Sequence, residues 1–549
     1  MRITWLSGRL PAVVSIGLIV VLGGLSAGCS DDEEGGSTGP TSTKIVVEEI
    51  IFNPKSPAPG DTLQATAVVT SSSQNVGDAV EYKWTATGGV FLEDNKASVR
   101  WVAPVQSAIF SLTVQAKNSA NTATFTDGVF VGERLPFIVE RAGELFPVPA
   151  SDAVYYTSAP GLASGGLVIR RKEGAVDDLP FGNDQKGTQF SFDRGRTLAA
   201  HMTVEPNPRK LSVFYDDLQT AQRDTIMRDE RAFPLRPNEF QWPSVSPDGQ
   251  FVAFQGGLLD QLSAPAQGGV DTFAVYLYHH PSFTVKRATF RGHPTLSDSL
   301  VSFSFYPSVS SDGRHLLFVS DRAASGVWEY YALPITGSSV TPDTIPGALI
   351  QLTDTGGQMA SGTTVPPGRL QSQWNPGSIP VLAVLGADAR LYLVSTDGSG
   401  AAAVTASGKV SDFRWAPDGS QLAAVITDNN VAAIHEVSLT GGTTALTSGD
   451  AGDKIADLAW SPDGGILIYS ISRGTDVWYE MFDVSGTTGL TKPVRISPAT
   501  KPTAAAKAFG PPLQSLRPSW RAGSRIAYLF ELDGTTPSAV SLDLSGIGD

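Results

Sequence analysis

The chain has almost no cysteine. Cys29 is the single cysteine in 549 residues, which excludes an intramolecular disulfide and a cysteine metal cluster. The spacings typical of zinc enzymes do not occur among its six histidines, which are His201, His279, His280, His293, His315 and His435. We therefore predict no metal site and no cofactor.

Basic charge is also scarce. The sequence has 54 acidic and 40 basic residues, a formal net charge of −14, and only 17% of its residues are charged. An acidic surface disfavours binding to nucleic acid and to anionic lipid headgroups. The 56 glycines and 37 prolines suit an all-β protein with many turns rather than a helical one. We predict an all-β fold and no nucleic-acid partner.

Long apolar runs are confined to the N-terminus. Arg2 and Arg9 precede an uncharged apolar stretch at residues 10–22, and Leu-Ser-Ala-Gly-Cys follows at residues 25–29. This order of charge, apolar run and small residues is that of a secretory signal, and the run is shorter than the ~20 residues that span a bilayer. Without Arg2 and Arg9 the chain has 54 acidic against 38 basic residues, a net charge of −16.

Residues 26–29, Ser-Ala-Gly-Cys, resemble a bacterial lipobox in which Ser replaces the usual Leu. The resemblance implies a signal peptide over residues 1–28, cleavage before Cys29 and lipidation of Cys29, which would anchor the protein to a membrane. By resemblance to enterobacterial sorting, Ser30 implies the outer membrane. A plain signal peptide with an incidental cysteine is the alternative.

Residues 29–43 are acidic, rich in Gly and Ser, and free of large apolar side chains, so they should form a flexible tether. The Gly-Gly-Ser-Thr-Gly at residues 35–39 fits the G-x-S-x-G pattern of hydrolases. A nucleophile elbow needs a strand before it and a helix after it, and the sequence predicts neither here. We therefore exclude a catalytic serine in this segment.

Residues 44–133 change to six or seven short alternating strands, which predicts a small β-sandwich. Residues 82–91, 98–104 and 110–116 resemble bacterial Ig-like or PKD-like domains, without the usual PKD core motif. Trp84 is predicted to fill the sandwich core. Carbohydrate binding by Trp84 or Trp101 is the alternative.

Between Phe190 and Ala527 the chain repeats one hairpin seven times. Clear copies at residues 242–254, 306–318, 413–425 and 458–469 contain Asp-Gly, and weaker copies lie at residues 190–199, 372–383 and 518–527. Asp can hydrogen-bond its own backbone and Gly supplies a positive φ, so each copy predicts a strand reversal. Turn roles, rather than catalysis or calcium binding, are assigned to Asp193, Gly195, Asp248, Gly249, Asp312, Gly313, Asp418, Gly419, Asp463 and Gly464.

This Trp/Phe-Ser-Pro-Asp-Gly hairpin resembles the WD40-like PD40 repeat of TolB-type propellers. The resemblance implies a β-propeller over residues 137–549, and repeat intervals of 42 to 64 residues leave room for a four-stranded blade. Seven hairpins favour seven blades. A six-bladed ring, in which one weak copy belongs to a closing segment, remains open.

The same resemblance implies that the propeller binds another envelope protein or a peptide without catalysis. Related propeller peptidases carry an α/β-hydrolase domain, and these residues contain no such pattern, so no catalytic residue is assigned. A glycan-binding or glycan-active surface protein, with the Ig-like domain as spacer, is the alternative. Residues 191–197 resemble the sialidase Asp-box, which is itself a structural turn. Insertions at residues 258–269 and 353–368 are candidate recognition loops.

Overall fold

The computed structural model describes residues 44–71, 79–138, 142–148, 153–158, 168–172, 175–177, 188–206, 209–220, 222–229, 240–257, 273–290, 304–324, 327–354, 360–361, 372–377, 379–396, 399–405, 409–447, 449–488, 492–500, 517–521, 523–533 and 536–547. The predicted signal peptide, Cys29 and the tether lie outside these residues, as do residues 258–269 and most of 353–368. Within these ranges the fold is all-β, with one short 3-10 turn at His280–Ser282.

The N-terminal unit is a sandwich of two antiparallel sheets. Its strands are β1 (Ile45–Asn53), β2 (Thr62–Ser71), β3 (Glu81–Ala86), β4 (Val90–Phe91), β5 (Ser98–Val102), β6 (Ala108–Lys117) and β7 (Thr122–Val131). One sheet has the order β1-β2-β5-β4 and the other the order β3-β6-β7. This is the strand order of a constant-type immunoglobulin sandwich.

Both tryptophans of the sandwich are buried. Trp84 is 2% exposed and Trp101 is fully buried, and both belong to the cluster between the two sheets. Their indole N–H groups donate to the carbonyls of Lys96 and Gly88, at 2.8 and 3.0 Å. Neither ring offers a face to a sugar, so the two side chains serve the core, as predicted for Trp84.

The remaining strands form a series of four-stranded antiparallel sheets, which we call blades 1 to 8. The first strand after the sandwich is β8 (Arg134–Ile138), which returns in blade 8. Blade 1 contains β9 (Ala142–Pro147), β10 (Val154–Ser158), β11 (Val168–Lys172) and β12 (Ala175–Asp177), and blade 2 contains β13 (Thr188–Phe192), β14 (Leu198–Pro206), β15 (Arg209–Asp217) and β16 (Gln222–Asp229). Blade 3 contains β17 (Phe240–Val245), β18 (Phe251–Gly257), β19 (Phe273–His279) and β20 (Thr284–Arg287). Blade 4 contains β21 (Ser304–Val309), β22 (His315–Ala324), β23 (Val327–Thr336) and β24 (Ser339–Val340), and two further strands, β25 (Ile350–Gln351) and β26 (Ala360–Ser361), pair with β23.

The second half of the propeller continues the same pattern. Blade 5 contains β27 (Ser372–Trp374), β28 (Val381–Leu385), β29 (Leu391–Ser395) and β30 (Ala401–Ala403), and blade 6 contains β31 (Lys409–Trp415), β32 (Gln421–Asp428), β33 (Val431–Ser438) and β34 (Thr443–Ala445). Blade 7 contains β35 (Lys454–Trp460), β36 (Ile466–Arg473), β37 (Asp476–Asp483) and β38 (Val494–Arg495). Blade 8 contains β39 (Ser519–Trp520), β40 (Ile526–Asp533) and β41 (Thr536–Asp543), together with β8.

The described residues thus form eight blades, and the expectation of seven or six was wrong. Blade 1 was missed because the sequence between β9 and β10 lacks Asp-Gly. The two strands are nevertheless joined like the others, with the N–H of Val148 donating to the carbonyl of Ala153. Blade 8 is completed by β8, which pairs with β41. Ser541 and Leu135, 406 positions apart, meet in this pairing. This pairing joins the beginning and the end of the propeller in one sheet, and it leaves the ring with only short edge strands.

Buried apolar clusters lie between successive blades all the way round. Both faces of the second strands are packed, as in Phe251, Val252, Ala253 and Phe254, each at most 4% exposed. One cluster joins blades 7, 8 and 1 through side chains such as Ile468, Leu529 and Tyr156. The other six join blades 1 and 2, 2 and 3, 3 and 4, 4 and 5, 5 and 6, and 6 and 7. The blades therefore form a closed ring whose core is shared between neighbours.

The sandwich packs directly on this ring. Phe130 at the end of β7 is fully buried in the propeller cluster that contains Leu542. The ammonium group of Lys492, just before β38, lies 4.8 Å from the centroid of the Phe125 ring. The sandwich is thus held against blades 7 and 8 by an apolar anchor and a cation–π contact.

Candidate functional site

The Asp-Gly pairs form the turns between the first and second strands of their blades. Gly249, Gly313, Gly419 and Gly464 have φ between +71° and +73°, a region that side chains other than Gly rarely occupy. The carboxylate of Asp248 accepts from the hydroxyl of Ser246 at 2.5 Å and from the N–H of Gln250 at 3.1 Å. Asp312 and Asp463 repeat this arrangement with Ser310 and Ser461. These carboxylates therefore accept hydrogen bonds within their own turns.

The corresponding turn of blade 2 is built differently. Asp193 accepts from the N–H groups of Gly195, Thr197 and Leu198 and from the hydroxyl of Thr197, at 2.8 to 3.1 Å. The positive φ lies at Arg196, +52°, and not at Gly195, to which the sequence assigned it. Four donors on one carboxylate replace the conformational freedom of glycine.

Tryptophans link the first strands of adjacent blades. The indole N–H of Trp415 donates to the carbonyl of Gln373 at 3.0 Å, and that of Trp460 donates to the carbonyl of Arg414 at 3.3 Å. Trp520 continues the series with a 3.3 Å bond to the carbonyl of Ala459. The repeat tryptophans therefore fix the position of one blade on the next, a role that the hairpin pattern did not reveal.

These first strands and their turns enclose a cavity of about 540 Å³. Five blades contribute to it: blades 1, 2, 6, 7 and 8. The lining residues are Leu145, Phe146, Pro147, Arg194, Arg196, Arg414, Leu458, Ala459, Trp460, Pro462, Arg517, Pro518, Ser519, Trp520 and Gly523. We call this cavity the axial pocket, because first strands of so many blades meet only around the ring axis.

The axial pocket is positively charged. Arg194 and Arg196 come from the blade 2 turn, and Arg414 and Arg517 come from the first-strand regions of blades 6 and 8. Arg194 also reaches across to blade 5, where its Nη2 lies 3.4 Å from the carbonyl oxygen of Pro376. Among the described residues, the lining contains four arginines and no Asp or Glu. In a chain of net charge −14 this is a marked local reversal of sign.

Carboxylates lie beneath one side of this lining. Asp412, Asp457 and Arg517 occupy equivalent positions, three residues before Trp415, Trp460 and Trp520 respectively. Asp412 is 5% exposed and lies 3.6 Å from the guanidinium of Arg517. Burial raises the pKa of Asp412, against the opposing effect of Arg517.

Asp457 has an unusual backbone and an unusual pKa. Its φ is +59°, and its carboxylate accepts from the hydroxyl of Ser470 at 2.8 Å. Burial raises the pKa of Asp457 to about 6, and the nearby Asp412 carboxylate adds to the increase. Asp457 therefore holds its proton more tightly than an exposed aspartate does.

Among the described residues the histidines do not assemble a metal centre, and no group of three metal-ligating side chains occurs there. Burial lowers the pKa of His201 to about 3. His279 and His280 lie where β19 ends, with their Nδ1 atoms 2.7 Å from the Ser282 hydroxyl and 3.3 Å from the Asp224 carboxylate. His293 and residues 35–39 lie outside the described residues. In the described part of the chain no helix has the length and apolar character to cross a membrane.

Sequence reasoning did not single out the four pocket arginines. The available signal was their position in the repeat: Arg194 and Arg196 flank the turn glycine of blade 2, and Arg414 directly precedes the repeat tryptophan. An alignment of the hairpins on their tryptophans would have placed Arg414 and Arg517 in equivalent strands. It would not have shown that they face one cavity.

No family model and no curated protein matches this chain. Solved structures that resemble it include an oligogalacturonate lyase in complex with manganese, with a TM-score of 0.41 and 12% identity over 75% of this chain and 98% of that one. TolB from Acinetobacter baumannii has a TM-score of 0.27 and 14% identity, covering 74% and 78% of the two chains. The β-propeller domain of the trilobed protease from Pyrococcus furiosus has a TM-score of 0.38 and 9% identity, covering 66% and 97%. The eight sheets and their closure establish the all-β propeller architecture of this chain.

Proposed function

We propose that this protein is a membrane-anchored envelope lipoprotein whose propeller binds a protein or peptide partner without catalysis. The axial pocket carries the proposal, because it is an open cavity of about 540 Å³ that is lined by five blades, three of which contribute arginines. Cavities of roughly 300 to 1,000 Å³ are typical of ligand sites. The lipidated Cys29 and the tether would hold the propeller near the outer membrane.

The pocket chemistry suits binding rather than catalysis. Its titratable lining groups are arginines, which stay protonated and do not exchange protons at ordinary pH. The carboxylates Asp412 and Asp457 lie under the lining and bond to Leu458 and Ser470. Fixed cationic groups on a closed ring are suited to holding a partner in place, which supports a binding role.

Crosslinking in the native host tests where the partner binds. A photoreactive p-benzoylphenylalanine replaces Pro462, which is exposed and lines the axial pocket, or Phe283, which is 65% exposed and lies in the outer turn of blade 3. We expect one discrete adduct, identified by mass spectrometry, from Pro462 and none from Phe283. The same pattern of adducts at both positions, or none at either, would contradict binding at the pocket.

Lipidation is tested in the same host. Wild-type protein should incorporate labelled palmitate and fractionate with the outer membrane, and Cys29→Ala should do neither. A wild-type protein without label would disprove the anchor while leaving the pocket experiment unaffected.

A further inference from the structure

The charge of the axial pocket indicates which chemical class of partner it binds. This inference rests on the proposed function. Four of the 40 basic residues of the chain line one cavity, and the part of its lining that the structure describes contains no acidic residue. A cleft walled by protein concentrates the field of such charges, because low-dielectric walls screen them less than water does. The pocket therefore attracts anions, while the acidic remainder of the surface repels them.

Two of the guanidinium groups retain donors for a ligand. The Arg414 guanidinium donates one hydrogen bond to the carbonyl of Phe413, at 3.2 Å, and the Arg194 guanidinium donates one to the carbonyl of Pro376, at 3.4 Å. No carboxylate of the described residues lies within ion-pair distance of either side chain. A guanidinium has five N–H donors in a planar fork that matches a carboxylate. Arg194 and Arg414 can each bind one.

The aromatic walls argue against a sugar. Carbohydrate sites use open aromatic faces, whereas Phe146, Trp460 and Trp520 are each no more than 9% exposed. The indole N–H groups of both tryptophans already bond to backbone carbonyls. Aliphatic side chains and prolines supply the rest of the apolar lining, which suits the aliphatic parts of a peptide; they are Leu145, Pro147, Leu458, Ala459, Pro462 and Pro518.

Arg414 is held in place by the neighbouring blade. Its carbonyl accepts the indole N–H of Trp460, so the strand that carries it is tied to the next first strand. A guanidinium on a fixed backbone loses less conformational entropy when it binds than one on a mobile loop. The positive charge of the pocket, the available N–H donors of Arg194 and Arg414 and the apolar lining point to one class of ligand. We propose that the axial pocket binds the carboxylate groups of an acidic peptide segment.

A peptide array tests this. Full-length lipoprotein in nonionic detergent is applied to random hexapeptides with free or amidated C-termini, with galacturonate and glucuronate oligosaccharides on the same slide. We expect the bound peptides to be enriched in Asp and Glu and the binding to weaken as salt increases. Binding that survives amidation assigns the bound carboxylates to side chains, and binding that is lost on amidation assigns one of them to the chain end.

Variants tie the result to the pocket. Arg194→Gln and Arg414→Gln should each weaken binding of the enriched peptides about tenfold, which is the usual loss for one charge-assisted contact. Arg390→Gln is the matched control, because Arg390 is 49% exposed and lies outside the pocket lining. Three results would overturn the proposal: selected peptides without acidic enrichment, uronate oligosaccharides as the only bound probes, or equal losses for all three variants. A Pro462 adduct obtained alongside any of these would leave the proposed function standing.

Discussion

The turn of blade 2 allows a quantitative test against its counterpart in blade 6. Asp193 is 9% exposed and accepts four hydrogen bonds, three of them from backbone N–H groups. Asp418 is exposed and accepts only from the N–H and the hydroxyl of Ser420, at 2.9 and 2.7 Å. The two residues thus form equivalent turns with very different numbers of buried donors.

We expect Asp193→Ala to lower the free energy of unfolding by about 3 kcal/mol, because a buried donor left without its acceptor costs roughly 1 to 3 kcal/mol and water reaches part of this turn. Asp418→Ala should cost less than about 1 kcal/mol, since its donors turn to solvent. Asp193→Asn should fall between, because the remaining amide oxygen can still accept from the N–H groups of Thr197 and Leu198.

Guanidinium denaturation followed by tryptophan fluorescence measures these differences. The midpoint should fall for Asp193→Ala, fall partly for Asp193→Asn and stay near wild type for Asp418→Ala, with the slope unchanged. Equal midpoints for the two alanine variants would show that the hydrogen bonds of Asp193 do not stabilise blade 2, and the reasoning would fail.

Two further predictions concern backbone and charge. Because the folded-state pKa of Asp457 is raised to about 6, the contribution of this carboxyl group to stability declines as pH rises from about 4 to 6. The amide of Asp457→Asn can still accept the hydrogen bond from Ser470. This variant should therefore raise the denaturation midpoint at pH 7.5 and leave it unchanged at pH 4. The same difference between Asp457→Asn and wild type at pH 4 and at pH 7.5 would contradict that burial. Gly313→Ala should cost about 1 to 2 kcal/mol for its left-handed backbone alone. Gly249→Ala should cost more in the same melts, because its new Cβ would also meet the Leu198 side chain; equal losses would refute the contact.

Local chemistry explains most of what the sequence predicted correctly. The Asp-Gly hairpins gave the all-β class and the positions of the reversals, because turn geometry depends on residues that are adjacent in the chain. The same dependence explains the misassigned glycine. Asp193 collects enough donors to hold Arg196 at a positive φ, so Gly195 is not needed there. The motif marks the turn but does not say which residue takes the strained conformation.

The number of blades was predicted wrongly because it was counted from the same local motif. Blade 1 makes its first reversal without Asp-Gly, and the missing strand of blade 8 comes from β8, which is contributed from beside the sandwich. A count of motifs records neither of these. The candidate site was also beyond the sequence, since Arg194 and Arg414 stand 220 positions apart in the chain and share no local pattern.

The sequence by itself determined the N-terminal order of basic charge and apolar residues, the lone Cys29, the strand–turn repeats and the acidic charge. All of these depend on composition or on short-range spacing. Tertiary structure decided how many blades close the ring and which side chains face the axis. Both depend on long-range pairing and on the angle at which each blade packs on the next, where buried clusters and indole hydrogen bonds act between residues far apart in sequence. The acidic chain thereby acquires a cationic pocket that its overall charge does not predict.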